Sequence, residues 1–289
     1  MFPILTYYET ANLIDNKRYH IGQRPFLLIS RRKRLSYLCM RIPLTKYGWP
    51  EVVVFPAVVL AIMVILLLGG TTLLPLWAVA LIEALLAAAF IWFLTFFRDP
   101  HRCCPSDKNV LLAPADGQIT NIETVEEDTF IGETTLRVGI FLSIFDVHIN
   151  RAPCNAKVER ITYRKGRYKN AKSPQSGRIN ESNDIGLVRT DSPPDRLLVR
   201  QISGAIARRI VCRISEGQQL NSGEKFGMIK FGSRTELYVP ANEASCVVRD
   251  ASCEENTQYA TRNTQYKIKC LVGIGDRVKA GLTPLIRYE

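Results

Sequence analysis

The stretch KFGMIKFGSRTELYVP, Lys225 to Pro240, sets a Gly232–Ser233 pair inside an apolar, strand-like run. Gly within a strand pattern marks a bulge or a close backbone approach. The serine after it has three readings: a turn hydroxyl, a nucleophile, or an ordinary strand residue. As a nucleophile it can attack the carbonyl just before it, turning peptide into ester. Elimination then releases the upstream chain and leaves dehydroalanine, which hydrolyses to a pyruvoyl group. Gly232 suits that attack, because a residue without Cβ tolerates a distorted backbone.

Groups able to move protons are few. The three histidines are His20, His101 and His148. His148 lies in LSIFDVHINRAP, just past an apolar run and beside Asp146, Asn150 and Arg151. An imidazole with an ordinary pKa near 6.5 is the natural proton carrier at neutral pH. LLAPADGQI ends an apolar strand in Pro114-Ala115-Asp116-Gly117. That tetrapeptide is turn chemistry, or it holds Asp116 at a strand end where it can orient an imidazole. No G-x-S-x-G elbow accompanies the serine. The eight cysteines show no C-x-x-C spacing, so no metal site is expected and the thiols read as reduced and intracellular.

These residues need elements to hold them, and the chain divides into three parts. Residues 1–50 are basic, with Lys17, Arg18, Arg24, Arg31 to Arg34, Arg41 and Lys46. Residues 51–98 hold two apolar runs, Val52 to Leu68 and Leu73 to Phe97, with Gly69-Gly70-Thr71-Thr72 between them and Glu83 the lone charge. A span needs about 20 apolar residues, so the runs predict a transmembrane hairpin with Glu83 facing the partner helix or the interface. Basic residues on both flanks, including Arg98 and Arg102, place both ends in the cytoplasm. The net charge of +11 suits an anionic membrane surface. Nucleic acid is disfavoured, since no aromatic-interleaved basic motif is present.

Residues 99–289 read as a mainly β soluble domain. Thr135 to Ser143, Lys157 to Tyr163, Arg196 to Ile202 and Ala207 to Ile214 have β-branched content and partial alternation. Tyr163 to Asp184 is polar and broken by proline, a long surface loop. The C-terminal IKCLVGIGDRVKAGLTPLIRY is similar to the hairpins of lipoyl- and biotinyl-type barrel-sandwich domains. The expected fold is therefore a barrel-sandwich-like β domain behind a two-helix membrane hairpin.

FFRDP, PADG, FDVHINRAP, VRQISGAIARRI and GEKFGMIKFGSR follow one another here in the order found in phosphatidylserine decarboxylases. The chain resembles the short proteobacterial and archaeal type, in which G-S-R replaces G-S-T. The resemblance runs from about Phe96 to the end. It implies self-cleavage between Gly232 and Ser233, a covalent pyruvoyl cofactor derived from Ser233, His148 as the loop histidine and Asp116 as its orienting acid. Residues 99–289 become the decarboxylase domain, converting phosphatidylserine to phosphatidylethanolamine and CO2 at the cytoplasmic face of the inner membrane. The implied partners are an anionic phospholipid and the other cleaved chain, with a homo-oligomer left open. Longer members carry H-x-x-H in this loop. Here the spacing gives His148 and Arg151, so either His148 serves both steps or Arg151 takes part of one by binding a carboxylate or phosphate. Their N-E-R-N segment reads Asn180-Glu181-Ser182-Asn183 here, and no role is carried onto it.

Two other classes compete. A membrane-anchored barrel-sandwich adaptor, as in efflux pumps, shares the G-D-x-V hairpin but works outside the cytoplasm and leaves FGSR, PADG and FDVH unexplained. A non-processing homologue is disfavoured by the intact Asp116, His148 and Gly232–Ser233. The hairpin disfavours a soluble pyruvoyl-dependent amino-acid decarboxylase.

Overall fold

The computed structural model describes residues 44–173, 175–205, 209–230, 232–241, 244–246 and 267–289. The basic residues from Lys17 to Arg41, together with His20 and Cys39, lie outside them.

Two apolar helices, α1 (Glu51–Leu73) and α2 (Leu76–Phe96), form the hairpin. Both are long and apolar enough to cross a membrane, with mean hydropathies of 3.1 and 2.3, and nearly all their side chains are uncovered. The expected four-residue turn is not where the chain reverses. Gly69 to Thr72 continue α1, and Leu74-Pro75 make the connection. The Thr72 hydroxyl donates to the Gly69 carbonyl, and Leu74 N–H to Gly70 O. These bonds satisfy the helix end that glycine pairs often interrupt. Gly70 faces Val79 across the hairpin, so its missing side chain draws the helices together. Glu83 is half-buried, with one carboxylate oxygen occluded and unpaired among the described residues.

Among the described residues three sheets follow, and Gly232–Ser233 stands where two of them meet. The first strands are β1 (Val110–Leu112), β2 (Gly117–Glu127), β3 (Glu133–Leu142), β4 (Ile149–Arg151) and β5 (Ala156–Arg164). Next come β6 (Ser182–Arg189), β7 (Arg196–Ile202), β8 (Arg209–Cys212), β9 (Gln219–Leu220) and β10 (Lys225–Lys230). The last are β11 (Ser233–Pro240), β12 (Ala244–Cys246), β13 (Ile268–Cys270), β14 (Arg277–Val278) and β15 (Pro284–Tyr288). The large sheet runs β14-β2-β3-β11-β7-β6-β5-β9, a second runs β1-β15-β13-β12, and a small one runs β4-β10-β8. The chain thus leaves the small sheet at Lys230 and enters the large one at Ser233. Strands that change sheets do so through bends, and Gly232 makes this bend with φ +64°, a conformation that costs glycine nothing.

The core lies between the sheets. Leu237 and Val239 of β11 join Val138 and Ile140 of β3, Leu197 and Val199 of β7, and Leu285 and Ile286 of β15. The other face of β11 is polar yet equally buried. Arg234 donates to Glu236 at 2.7 Å, Tyr238 to Glu236 at 2.6 Å, and Arg200 to both Asp184 oxygens at 2.6 and 2.9 Å. The segment read as a surface loop covers part of this face. It holds α3 (Ser176–Ile179), its Gly177 lies against the Glu236 carboxylate, and β6 begins inside it at Ser182. Its polarity reflects the buried charges beneath it as well as solvent.

A chain of buried amides crosses the core to the bend. Asn183 donates to Gln201 at 3.1 Å, Gln201 to Asn150 at 2.8 Å, and Asn150 to the Thr235 hydroxyl at 3.1 Å. The chain ties β6, β7, β4 and β11 together two residues from both His148 and Ser233. Gln201→Leu leaves the Asn150 carbonyl and the Asn183 amide unpaired, and an orphaned buried group costs about 1–3 kcal/mol. We expect a loss of roughly 2–4 kcal/mol in chemical denaturation of the detergent-solubilised chain. A Gln201→Leu protein of unchanged stability would show that the amide chain is not structural.

Candidate active site

The FDVH loop is shaped by its aspartate. Asp146 accepts from Ser143 N–H at 2.8 Å through one carboxylate oxygen and from Arg277 at 3.1 Å through the other. Its own carbonyl meets His148 Nδ1 at 2.9 Å. The second ring nitrogen, Nε2, lies 3.3 Å from the Gly232 amide nitrogen. A backbone N–H can only donate, so Nε2 is the bare nitrogen and Nδ1 carries the proton, held by Asp146 O.

The imidazole is dry. His148 is fully buried, and the ring of Phe96, at the foot of α2, packs on it with centroids 4.4 Å apart. Phe97, Val147, Ile149 and Met228 complete this apolar foot. Burial pulls the His148 pKa from 6.5 down to about 4, outweighing the opposing pull of Asp146. The ring is therefore neutral at pH 7, with its lone pair on the residue before Ser233.

Ser233 is fully buried, and its hydroxyl has no hydrogen-bond partner among the described residues. Buried hydroxyls normally find one, and an exception calls for an explanation. A cleft of about 310 Å³ opens at Gly232, lined also by Phe141, Ser143, Ile144, Asn170, Ala171, Lys172 and Ala205. The Gly232 carbonyl is pressed against Gly204, where a Cβ would overlap its oxygen.

Asp116 makes no hydrogen bond to His148 among the described residues. Its oxygens take both terminal nitrogens of Arg102, at 2.6 and 2.7 Å, and one also accepts Ala280 N–H at 2.7 Å. Asp116 thus clamps the stretch after α2 to the C-terminal hairpin, and the Asp146 carbonyl makes the direct contact to the imidazole. Arg151 is buried and donates to the carbonyls of Gly223 and Pro100 at 3.0 and 3.1 Å, with Asp99 at 3.7 Å. It is not among the residues lining the cleft. PADG and FDVHINR meet through the Pro114 carbonyl, which accepts Arg151 N–H and the Asn150 amide. No cluster of metal-ligating side chains occurs among the described residues.

Gly204 and Asn150 are the residues the sequence reading missed. Gly204 sits in VRQISGAIARRI, and only its closeness to the bend reveals a purpose. Any side chain there must displace the Gly232 carbonyl, a backbone group with little room to yield, and would also touch the Ala171 methyl. If the chain is cut after residue 232, as the resemblance implies, Gly204→Ala should slow that cut by at least tenfold in a gel time course while leaving the expressed chain folded. Wild-type processing in Gly204→Ala would remove the steric argument.

The family model for phosphatidylserine decarboxylase matches residues 89–283. A phosphatidylserine decarboxylase proenzyme of Desulfotalea psychrophila is 42% identical over 163 residues, covering 56% of this chain and 74% of its own. Proenzymes of the same name from Nitrosomonas eutropha and Rhodopirellula baltica are 34% and 36% identical, and the alignments cover 85% and 86% of this chain and 95% and 89% of theirs. The order of motifs, the β architecture behind an apolar hairpin and these matches agree: the chain belongs to the phosphatidylserine decarboxylase family.

Proposed function

We propose that the chain cleaves itself between Gly232 and Ser233 and then decarboxylates phosphatidylserine to phosphatidylethanolamine. The observation that carries this is the bare Nε2 of a neutral, buried His148 at the Gly232 amide, beside a serine hydroxyl with no other use. Ser233 is the nucleophile. Its Oγ bonds to the Gly232 carbonyl carbon as the C–N bond breaks, and His148 relays the hydroxyl proton to the freed nitrogen. Loss of the Ser233 Cα proton then expels the Gly232 carboxylate. Water releases ammonia from the dehydroalanine, leaving a pyruvoyl group at the head of the downstream chain.

The orphaned Ser233 hydroxyl, on the residue after the Gly232 that lines the cleft, is what fits this group to the site. Bound there, it supplies a ketone for the substrate amine and a sink for the electron pair that CO2 leaves behind. The chain's own part is to exclude water and manage one proton. His148 Nε2, bare at rest, is the group that takes a proton from the substrate ammonium and returns it to the substrate α-carbon. Asp116 acts as a clamp and a distant negative charge, and Arg151 as a structural tie. The helices span the inner membrane with the β domain on the cytoplasmic side, as the basic flanks favour. This delivers an interfacial headgroup to the cleft.

Intact-mass measurement of the purified chain beside Ser233→Ala tests the first step. The expected result is fragments ending at Gly232 and beginning at position 233, the latter blocked at its N-terminus, in the wild type alone. A wild-type chain that stays whole would sink the reading. The pH dependence tests the base. An imidazole with a pKa of about 4 stays neutral on acidification, so the cleavage rate should hold to near pH 5 and fall only toward pH 4. Between pH 6.5 and 4 the unfolded chain takes up a proton that the folded one refuses, so His148 subtracts stability as pH falls through that window. In Phe96→Ala, water reaches the ring and the kinetic inflection should move up toward 6.5. An inflection at 6.5 in the wild type would contradict a dry base.

A further inference from the structure

The cleft at Gly232 carries one charged side chain among the described residues that line it. Lys172 holds its ammonium 5.1 Å from the centroid of the Phe141 ring, and it makes no ion pair with any described residue. This sets it apart from the other cations near the site. Arg102, Arg151, Lys225 and Lys230 each face a carboxylate, and Arg98 is occupied by the carbonyls of Thr95 and Phe145. The segment bearing it is anchored. Asn170 Oδ1 caps Lys172 N–H at 3.0 Å, Ala171 is buried against Gly204, and the Ser176 hydroxyl donates to Ala171 O at 3.2 Å. The rest of the lining is Phe141, Ile144, Ala171 and Ala205, with Ser143 and Asn170 as the neutral polar groups.

A phosphoserine headgroup offers this cleft two anions and one ammonium. The ammonium must be the end that reaches position 233. The carboxylate disappears as CO2, so a cation gripping it would stabilise the ground state and lose its partner in the transition state, which opposes the reaction. The phosphodiester keeps its charge from substrate to product, and binding it equally throughout is what a uniform-binding subsite does. We infer that Lys172 is the phosphodiester-binding residue of the substrate cleft, with the carboxylate left to the apolar wall of Ile144 and Ala205. This rests on the function proposed above and adds the headgroup's orientation to it. Lysine suits the task as a compact point charge with three donors, and Phe141 holds it in place through a cation–π contact.

The test uses the full chain in zwitterionic mixed micelles, with rates normalised to the cleaved form. Lys172→Ala should raise KM for phosphatidylserine roughly ten- to hundredfold, the worth of one charge-assisted hydrogen bond, with the loss in KM rather than kcat. Lys172→Arg should recover most of it. Glycerophosphoethanolamine, which has the phosphodiester but neither carboxylate nor acyl chains, should inhibit the wild type and lose its effect on Lys172→Ala. Inorganic phosphate at the same concentration should inhibit neither. A fully cleaved Lys172→Ala enzyme with wild-type KM overturns the subsite. So does glycerophosphoethanolamine inhibition that survives the substitution, or that inorganic phosphate reproduces. A wild type that neither cleaves nor decarboxylates is a different failure, that of the underlying function, and is read from the wild type alone.

Discussion

The contact on which the site depends is the packing of Phe96 on the His148 ring. It joins the foot of the apolar hairpin to the one imidazole at the bend and removes that imidazole from water. In a dry setting the charged form is the costly one, so the ring stays neutral and its free lone pair has a defined direction. The Asp146 carbonyl fixes the tautomer by holding the opposite nitrogen. The hairpin is thus part of the active-site wall. Further ties repeat the coupling: Lys230, next to the bend, pairs with Glu51 at the start of α1 at 2.7 Å, and Tyr47 donates to Lys225 O at 3.0 Å.

The second constraint is geometric. A chain that changes sheets between Lys230 and Ser233 has to turn within two residues, and the turn leaves Gly232 with its carbonyl against Gly204 and its N–H on the histidine. The amide chain from Asn183 to Thr235 prevents the two sheets from sliding relative to each other. Such a network specifies one arrangement only if every member is satisfied, and here each amide has a partner. The bend is therefore held in place by polar contacts deep in the core, where relaxation is expensive.

The legible parts of the sequence were those with a local signature. Arg196 to Ile202 has strand composition and is a strand; Gly275 to Gly281 has turn composition and lies between β13 and β15, with the two-residue β14 inside it. The apolar runs announced helices, but glycine and threonine at Gly69–Thr72 suggested a turn where hydrogen bonds to Gly69 and Gly70 carry α1 onward. The partners of Asp116 are not legible in the sequence for a related reason. PADG and FDVH do meet in space, through the Pro114 carbonyl rather than the aspartate, and a carboxylate's partner is decided by which guanidinium folds over it. Arg102, read as a membrane-flanking charge, is buried on Asp116. The Tyr163–Asp184 segment was polar because it covers buried charges, and composition alone does not separate that from a solvated loop.

The pairing of β11 has a consequence for the life of the molecule. Its neighbours on both sides, β3 and β7, come from sequence before Gly232, and β15 is paired with β1. A cut at the bend would sever the chain and touch these ladders only at their first rung, Ser233 against Leu142, so the two pieces would stay interleaved as one body. Unfolding is another matter. The intact precursor brings its own strands together as a unimolecular event, whereas the severed pair would have to find each other from solution with the central strand missing from the larger piece. The fold can thus be reached easily only once, before the cut, and a mature molecule that loses it would be replaced more readily than repaired.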